Sequence, residues 1–393
     1  MYNIAINLEL EPYVGGSYQY WYSIIQALSN FDKEKYNIYG IYMDDRWKEI
    51  LLESGIPQIK IRQSKRGIVY KTLERALWRW DRQWIRKLLI LMNIKITDSI
   101  LIRRLKLDLI LDNGSGFARA YGIKVAVPIH DLMHRYEKDI PELVEGFDYR
   151  ERLFSSEAKY ADIILADSLL GKKHIIESYG EKCSDIDAKV EVLPFIPPSY
   201  IYTDHCENSE LVLPDKYIFY PAQFWSHKNH VNLLKALAHL KKQGVFVSLV
   251  LSGSRQNNYE QVLRSIEELE LKDQVMILGY VTNSDIVYIY RHARALVYPT
   301  LFGPTNIPPL EAFYLGCPVA TSGIYAMPEQ LGDAALYFDP RSVDEIADVI
   351  KQLWLDDELC RQLSQRGLEQ AKKWGPVQFS ERLEEIIEKH LVN

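Results

Sequence analysis

Residues 298–319 read YPTLFGPTNIPPLEAFYLGCPV. An apolar run closes at Pro299, and a loop holding Gly303 follows. Thr305 or Asn306 then stands where a residue would cap a helix, and Pro308-Pro309 suits that helix's first turn. Proline is tolerated there because the N–H it lacks would be unpaired anyway. A second apolar run over 318–321 reads as the next strand. Strand, loop, helix and strand together make the repeating unit of a parallel sheet. The free N–H groups and dipole at such a helix start form an anion site. Glu311, in the first helical region, could accept both hydroxyls of a ribose. The run reads equally well as a structural loop with a glutamate favoured by the dipole.

The same alternation extends in both directions. Strands are expected at 4–8, 36–42, 107–111, 124–128 and 163–166, and again at 217–220, 245–251, 275–278, 295–298, 318–321 and 335–338, with helical patterns between them. Gly15-Gly16 reads as a turn before a helix at 18–28. The stretch VLPFIPPSY, residues 192–200, carries three prolines and breaks the series. The expectation is an α/β chain of two doubly wound, Rossmann-like domains facing a central cleft. They span 1–195 and 196–374, and a last helix, 375–393, packs back on the first. Ligands of such sheets bind beyond the carboxyl ends of the strands.

Bulk properties agree. The 393 residues are 47% hydrophobic and 25% charged, enough apolar material for two cores. A net charge of −6 argues against a nucleic-acid partner. The nine histidines form no HxH or HExxH pair, and Cys183, Cys206, Cys317 and Cys360 form no CxxC. Neither a metal centre nor a disulfide framework is expected, and a reducing cytoplasm suits the chain. Residues 1–7 lack the basic-then-apolar pattern of a secretory signal, and no apolar run approaches a membrane span of about 20 residues. Asp185-Ile-Asp187 spells a DxD, but in a polar stretch where a solvated turn is the better reading.

Three further constellations sit at expected strand ends. In YPAQFWSHKNH, residues 220–230, Lys228-Asn229 precedes a helical run. A cation there opposes the helix dipole, which favours a role such as presenting charge to a diphosphate. His130, in Ile129-His130-Asp131, could bond a sugar or act as a base, or could be a satisfied loop histidine. Gly15-Gly16 would let a backbone approach a ligand, or is a plain turn.

Taken in order, Ile129-His130-Asp131-Leu, Lys228-Asn229, the Asn306–Glu311 run with Gly316, and Met327-Pro-Glu329-Gln-Leu-Gly resemble the retaining GT-B glycosyltransferases, family 4 in the usual classification. The match is strongest over about 215–345. The resemblance implies metal-independent transfer of a hexose from a nucleotide diphosphate sugar, a GDP- or UDP-sugar, with no cofactor. The first domain would bind a glycan or lipid-linked acceptor and the second the donor, in cell-surface polysaccharide synthesis. It implies Lys228, Glu311 and His130 as the catalytic set. Gly15, Gly16, Gln223, Lys228, Asn229, Gly303, Thr305, Asn306, Ile307 and Glu311 would contact the donor. Two positions depart from the pattern. The first acid of the family's Glu–x7–Glu pair falls on Gly303, and an arginine five residues before the lysine falls on Gln223. The alternatives are a non-catalytic nucleotide-binding partner of another transferase and a sugar-nucleotide epimerase.

Residues 65–106 hold twelve Lys/Arg against three acids, a local charge of +9 in a chain of net −6. Leu73, Leu77, Trp80, Trp84, Leu88 and Leu91 recur there at helical spacing. Such a segment is expected to lie peripherally on an anionic membrane face, each basic residue contributing about 1 kcal/mol. Reversing Arg75, Arg79, Arg82 and Arg86 to Glu is expected to abolish low-salt co-sedimentation with anionic vesicles. If wild-type protein fails to co-sediment, the segment is a packed helix with a solvated face.

Overall fold

The computed structural model describes residues 1–10, 15–60, 104–112, 123–203 and 209–392. The basic stretch and its helical stripe lie almost wholly outside them. Two parallel sheets organise the chain. The first takes β1 (Tyr2–Leu8), β2 (Tyr36–Tyr42), β3 (Gln58–Lys60), β4 (Leu109–Leu111), β5 (Lys124–Pro128), β6 (Ile163–Ala166) and β7 (Val190–Val192) in the order β3-β2-β1-β4-β5-β6-β7. The second takes β8 (Ile218–Pro221), β9 (Leu249–Ser252), β10 (Val275–Gly279), β11 (Ala295–Tyr298), β12 (Val319–Ser322) and β13 (Ala335–Phe338) in the order β10-β9-β8-β11-β12-β13. The strands are runs such as Ile163–Ala166 and Leu249–Ser252, buried throughout, as helices on both faces require.

The strand order reverses between β1 and β4 and again between β8 and β11. At these points neighbouring loops diverge to opposite faces and leave a crevice. Gly15-Gly16 follows β1, the Lys228 loop follows β8, and the Gly303 loop follows β11. His130 lies beyond β5.

Several expected boundaries shift, because a strand exists only where a neighbour pairs with it. The run 245–251 becomes strand only from Leu249, where Ile218 and Val275 pair with it; Phe246 is exposed. The run 107–111 becomes strand only from Leu109, opposite Ile4. The short edge strands β3 and β7 had no pattern to announce them. Gly15 and Gly16 are not a separate turn. They open the helix Gly15–Ser29, with Gly15 at φ +65° and open space where a side chain would stand on either.

The last helix, Pro376–Val392, packs Phe379, Leu383, Ile386 and Ile387 into the core of the first sheet's unit, beside Trp21, Ile24 and Leu28. Trp374 Nε1 donates to Pro194 O at 3.2 Å, so the chain's return crosses the Pro-rich connection. The Asp185-Ile-Asp187 carboxylates are engaged by lysines, Asp185 by Lys189 at 2.9 Å and Asp187 by Lys172 at 3.1 Å.

Candidate functional site

Beyond β8 the chain makes a short 3-10 turn, Ser226–Lys228, and enters the helix His230–Lys242 through Asn229. Asn229 adopts φ +59°, a left-handed conformation that asparagine tolerates better than most residues. Its buried amide donates to Pro299 O at 2.9 Å and Pro340 O at 2.7 Å. Asn229 is thus a pin between loops, with its amide spent on the protein rather than on a ligand. Lys228, half-buried, donates from Nζ to Tyr298 Oη at 3.0 Å, and Tyr298 Oη donates to Asn306 Oδ1 at 3.1 Å. One tyrosine therefore links the lysine to the start of the next helix. Gln223 accepts from Trp225 Nε1 at 2.9 Å.

Asn306 is the N-cap of the helix Ile307–Tyr314 by backbone conformation, yet its side chain makes no capping bond. The expected side-chain cap is absent because Tyr298 already claims the side-chain oxygen. Its backbone N–H donates to Gln330 Oε1 at 3.0 Å, so this amide is not offered to a donor. Gly303 has φ +113°, and a Cβ there would stand 2.9 Å from Asn306 Nδ2. The positive φ and the nearby Asn306 side chain together disfavour any residue with a Cβ at 303, so this loop conformation suits glycine where the resemblance has an acid.

Glu311 is 7% exposed. Tyr290 Oη donates to its Oε2 at 2.8 Å and Tyr200 Oη to its Oε1 at 3.1 Å. Burial pushes the carboxyl's pKa up, and the two hydroxyls offset part of that. His130 lies between the rings of Tyr20 and Phe195, with centroids 4.4 and 4.9 Å away. Burial lowers its pKa to about 4. The imidazole is therefore neutral near pH 7, a hydrogen-bonding group rather than a charge.

The structure adds residues that sequence reasoning missed. Asp167, at the tip of β6, is buried and accepts from the hydroxyls of Thr305 and Ser168. Burial raises its pKa to about 7 against the opposing pull of those donors. Glu142 accepts from His227 N at 3.1 Å, from His227 Nδ1 at 2.7 Å and from Asn257 Nδ2 at 3.2 Å. Burial works against its charge, but these contacts outweigh it and hold the carboxyl below its usual range. Glu329 accepts from the first amides of the helix Leu169–Tyr179, Leu169 N at 2.7 Å and Leu170 N at 3.1 Å. Glu137 meets Tyr325 Oη and, at 2.9 Å, Arg341. All four carboxyls bridge the two units. The A-D-S run after β6 was the available signal for Asp167, since it occupies the same place as His130 does after β5.

Lys228, Gly303, Thr305, Asn306, Ile307 and Glu311 thus fall on the loops and helix at the β8–β11 crevice. Asp167 meets it from the other unit through Thr305, whereas His130 is packed between Tyr20 and Phe195. This architecture is GT-B. Residues 204–370 match the family of glycosyl transferases group 1. An O-antigen chain mannosyltransferase B from Escherichia coli is 35% identical over 160 residues, 40% of this chain and 42% of that protein. The O-antigen chain mannosyltransferase RfbU from Salmonella typhimurium is 27% identical over 236 residues, 60% of this chain and 62% of that protein. The chain thus spans less than two thirds of either relative. The Anabaena HepE structure with UDP and glucose superposes with a TM-score of 0.71, 15% identity and coverage of 99% and 100%. The second unit is thus similar to the group 1 glycosyl transferases over residues 204–370, and the fold of the whole chain is that of the GT-B structures.

The Asp167 proton gives a test. The ordinary pKa is 3.8 and the folded one about 7. Between these values the folded protein keeps a proton that the unfolded chain has released. The associated stability is fully present below the unfolded value and is lost as pH rises through the folded one. Asp167→Asn carries no such proton. In urea unfolding, wild type is expected to lose about 1.4 kcal/mol per pH unit relative to the variant from about pH 4 to 7, then level off. A difference that is flat across that window would show Asp167 ionised in the fold.

Proposed function

We propose that the chain is a retaining transferase that moves a hexose from a nucleotide diphosphate sugar to a glycan or lipid-linked acceptor in polysaccharide synthesis. The observation that carries this reading is the set at the second switch point. There Lys228, Tyr298 and Asn306 form one hydrogen-bonded chain beside the helix that bears Glu311. A fixed cation and a carboxylate so placed suit a diphosphate and a ribose respectively. The relatives named for O-antigen mannosyl transfer support the polysaccharide setting.

In this reading the bond from the anomeric carbon to the diphosphate breaks as Lys228 stabilises the charge left on the departing oxygens. The acceptor oxygen bonds to the same face of the sugar, and its proton passes to a diphosphate oxygen. His130, neutral, would bond a sugar hydroxyl. The Glu142 contact to His227 holds the turn that carries Lys228, so closure of the two units and placement of the cation go together. Peripheral contact with an anionic membrane through residues 65–106 would bring the protein to a lipid-linked acceptor.

Turnover is to be measured with GDP-mannose and UDP-glucose as donors. Lys228→Ala is expected to lower kcat by about 10²–10³. Turnover within threefold of wild type would remove Lys228 from the mechanism, and no turnover of any nucleotide sugar by wild type would favour a non-catalytic nucleotide-binding partner. Activity is expected to persist in excess EDTA, because the assigned charge stabilisation comes from Lys228 and the helix start. Loss restored by Mn²⁺ or Mg²⁺ would place a metal ion in that role.

A further inference from the structure

The proposed function gives Glu311 to the ribose, and the role assigned here to Tyr200 rests on that reading. The carboxyl is covered in this structure: it is 7% exposed, and each oxygen accepts from a tyrosine hydroxyl. The two tyrosines differ in how they are held. Tyr290 is wholly buried, sits on the helix Asn283–His292 of the second unit, packs edge-on against Phe219 with ring centroids 5.0 Å apart, and has its hydroxyl 3.2 Å from Pro308 O. It belongs to the core.

Tyr200 belongs to the connection between the units. It lies on the five-residue helix Ser199–Thr203, in which Ile201 alone is buried, directly after Pro197-Pro198. A single helical turn has little stability of its own, so its position depends on Ile201, on the edge-on packing of Tyr202 against Tyr314 with centroids 4.5 Å apart, and on the Tyr200 hydrogen bond. A ribose diol offers a carboxylate the kind of hydroxyl donor that Tyr200 offers now. A covered carboxyl admits the diol only when a covering hydroxyl leaves. Replacing one hydroxyl donor by another keeps the acceptor satisfied, so the exchange is close to balanced.

We propose that the Tyr200 hydroxyl occupies a ribose position on Glu311 in the empty protein, and that a nucleoside diphosphate binds by exchanging its own ribose hydroxyl for it. Tyr200 is then a determinant of nucleotide affinity mounted on the linker, and nucleotide binding releases a contact that ties the connection to the second unit.

The test is calorimetric titration of the full chain with UDP and with GDP, for wild type, Tyr200→Phe and Glu311→Gln. Phenylalanine keeps the ring and loses the hydroxyl. Tyr200→Phe is expected to tighten binding of whichever nucleotide wild type takes by about three- to tenfold, the worth of one net hydrogen bond. Glu311→Gln is expected to weaken it. The gain is expected to disappear with the 2′,3′-dideoxy nucleotide, which has no diol to exchange. If Tyr200→Phe leaves affinity unchanged or weaker while Glu311→Gln weakens it, Tyr200 is a standing support of Glu311 and the exchange is wrong. A gain that persists with the dideoxy nucleotide overturns it as well. If wild type binds neither nucleotide, or Glu311→Gln binds as wild type does, the ribose reading itself falls and the inference with it.

Discussion

One side-chain amide holds three loops of the second unit together. Asn229, at the start of the helix after β8, donates to the carbonyl of Pro299 beyond β11 and to that of Pro340 beyond β13. Each such bond adds about 1 kcal/mol net, and leaving the buried Pro299 carbonyl unpaired would cost about 1–3 kcal/mol, whereas Pro340 O also accepts from Asn232. The pin thus fixes the spacing between the turn that carries Lys228 and the loop that carries Gly303. The neighbouring residue inherits that spacing. Lys228 reaches Tyr298 on β11, Tyr298 reaches Asn306, and Gln330 receives the Asn306 backbone. The left-handed turn at Asn229 is the local strain that this arrangement offsets.

The seam between the units is made largely of carboxyls used as acceptors. Glu137, Glu142 and Asp167 reach from the first unit, and Glu329 reaches back to a helix N-terminus. Apolar contact adds a smaller patch, in which Met133, Ile140 and Leu143 meet Leu301, Phe302 and Tyr325. Bonds of this kind are directional and individually modest. They set the relative placement of the loops without welding the units as a large apolar interface would. The environments of Glu142 and Asp167 differ, and their proton affinities follow: three donor contacts hold Glu142 low, whereas burial dominates at Asp167.

Local pattern carried much of the fold. Strands β2, β5, β6, β11 and β13 stand where apolar runs placed them, because strands covered by helices on both faces are mostly apolar. Proline and glycine marked the connection at 192–200 and the loop before Ile307. The short edge strands β3 and β7 were invisible, since three residues give no period to read. Asn229 was read as a donor contact from its place beside Lys228, and nothing local told that its side-chain amide would tie two distant loops. The expected cap at Asn306 failed for a related reason: the side chain had a distant partner, Tyr298, that no local rule contains.

By itself, then, the sequence determined the two α/β units, the break between them and the loops where Lys228, Asn306 and Glu311 would lie. These follow from the periodicity of apolar residues and from backbone rules that act over a few positions. Only the tertiary structure decided that the backbone at 303 would favour glycine, that His130 would be neutral between two aromatic rings, and that Asp167, Glu142 and Tyr200 would cross from one part of the chain to another. Asp167 and Thr305 are 138 positions apart, and Tyr200 and Glu311 are 111. Contacts at such separations depend on how two sheets and a linker settle against one another, and proton affinity depends on the burial that results.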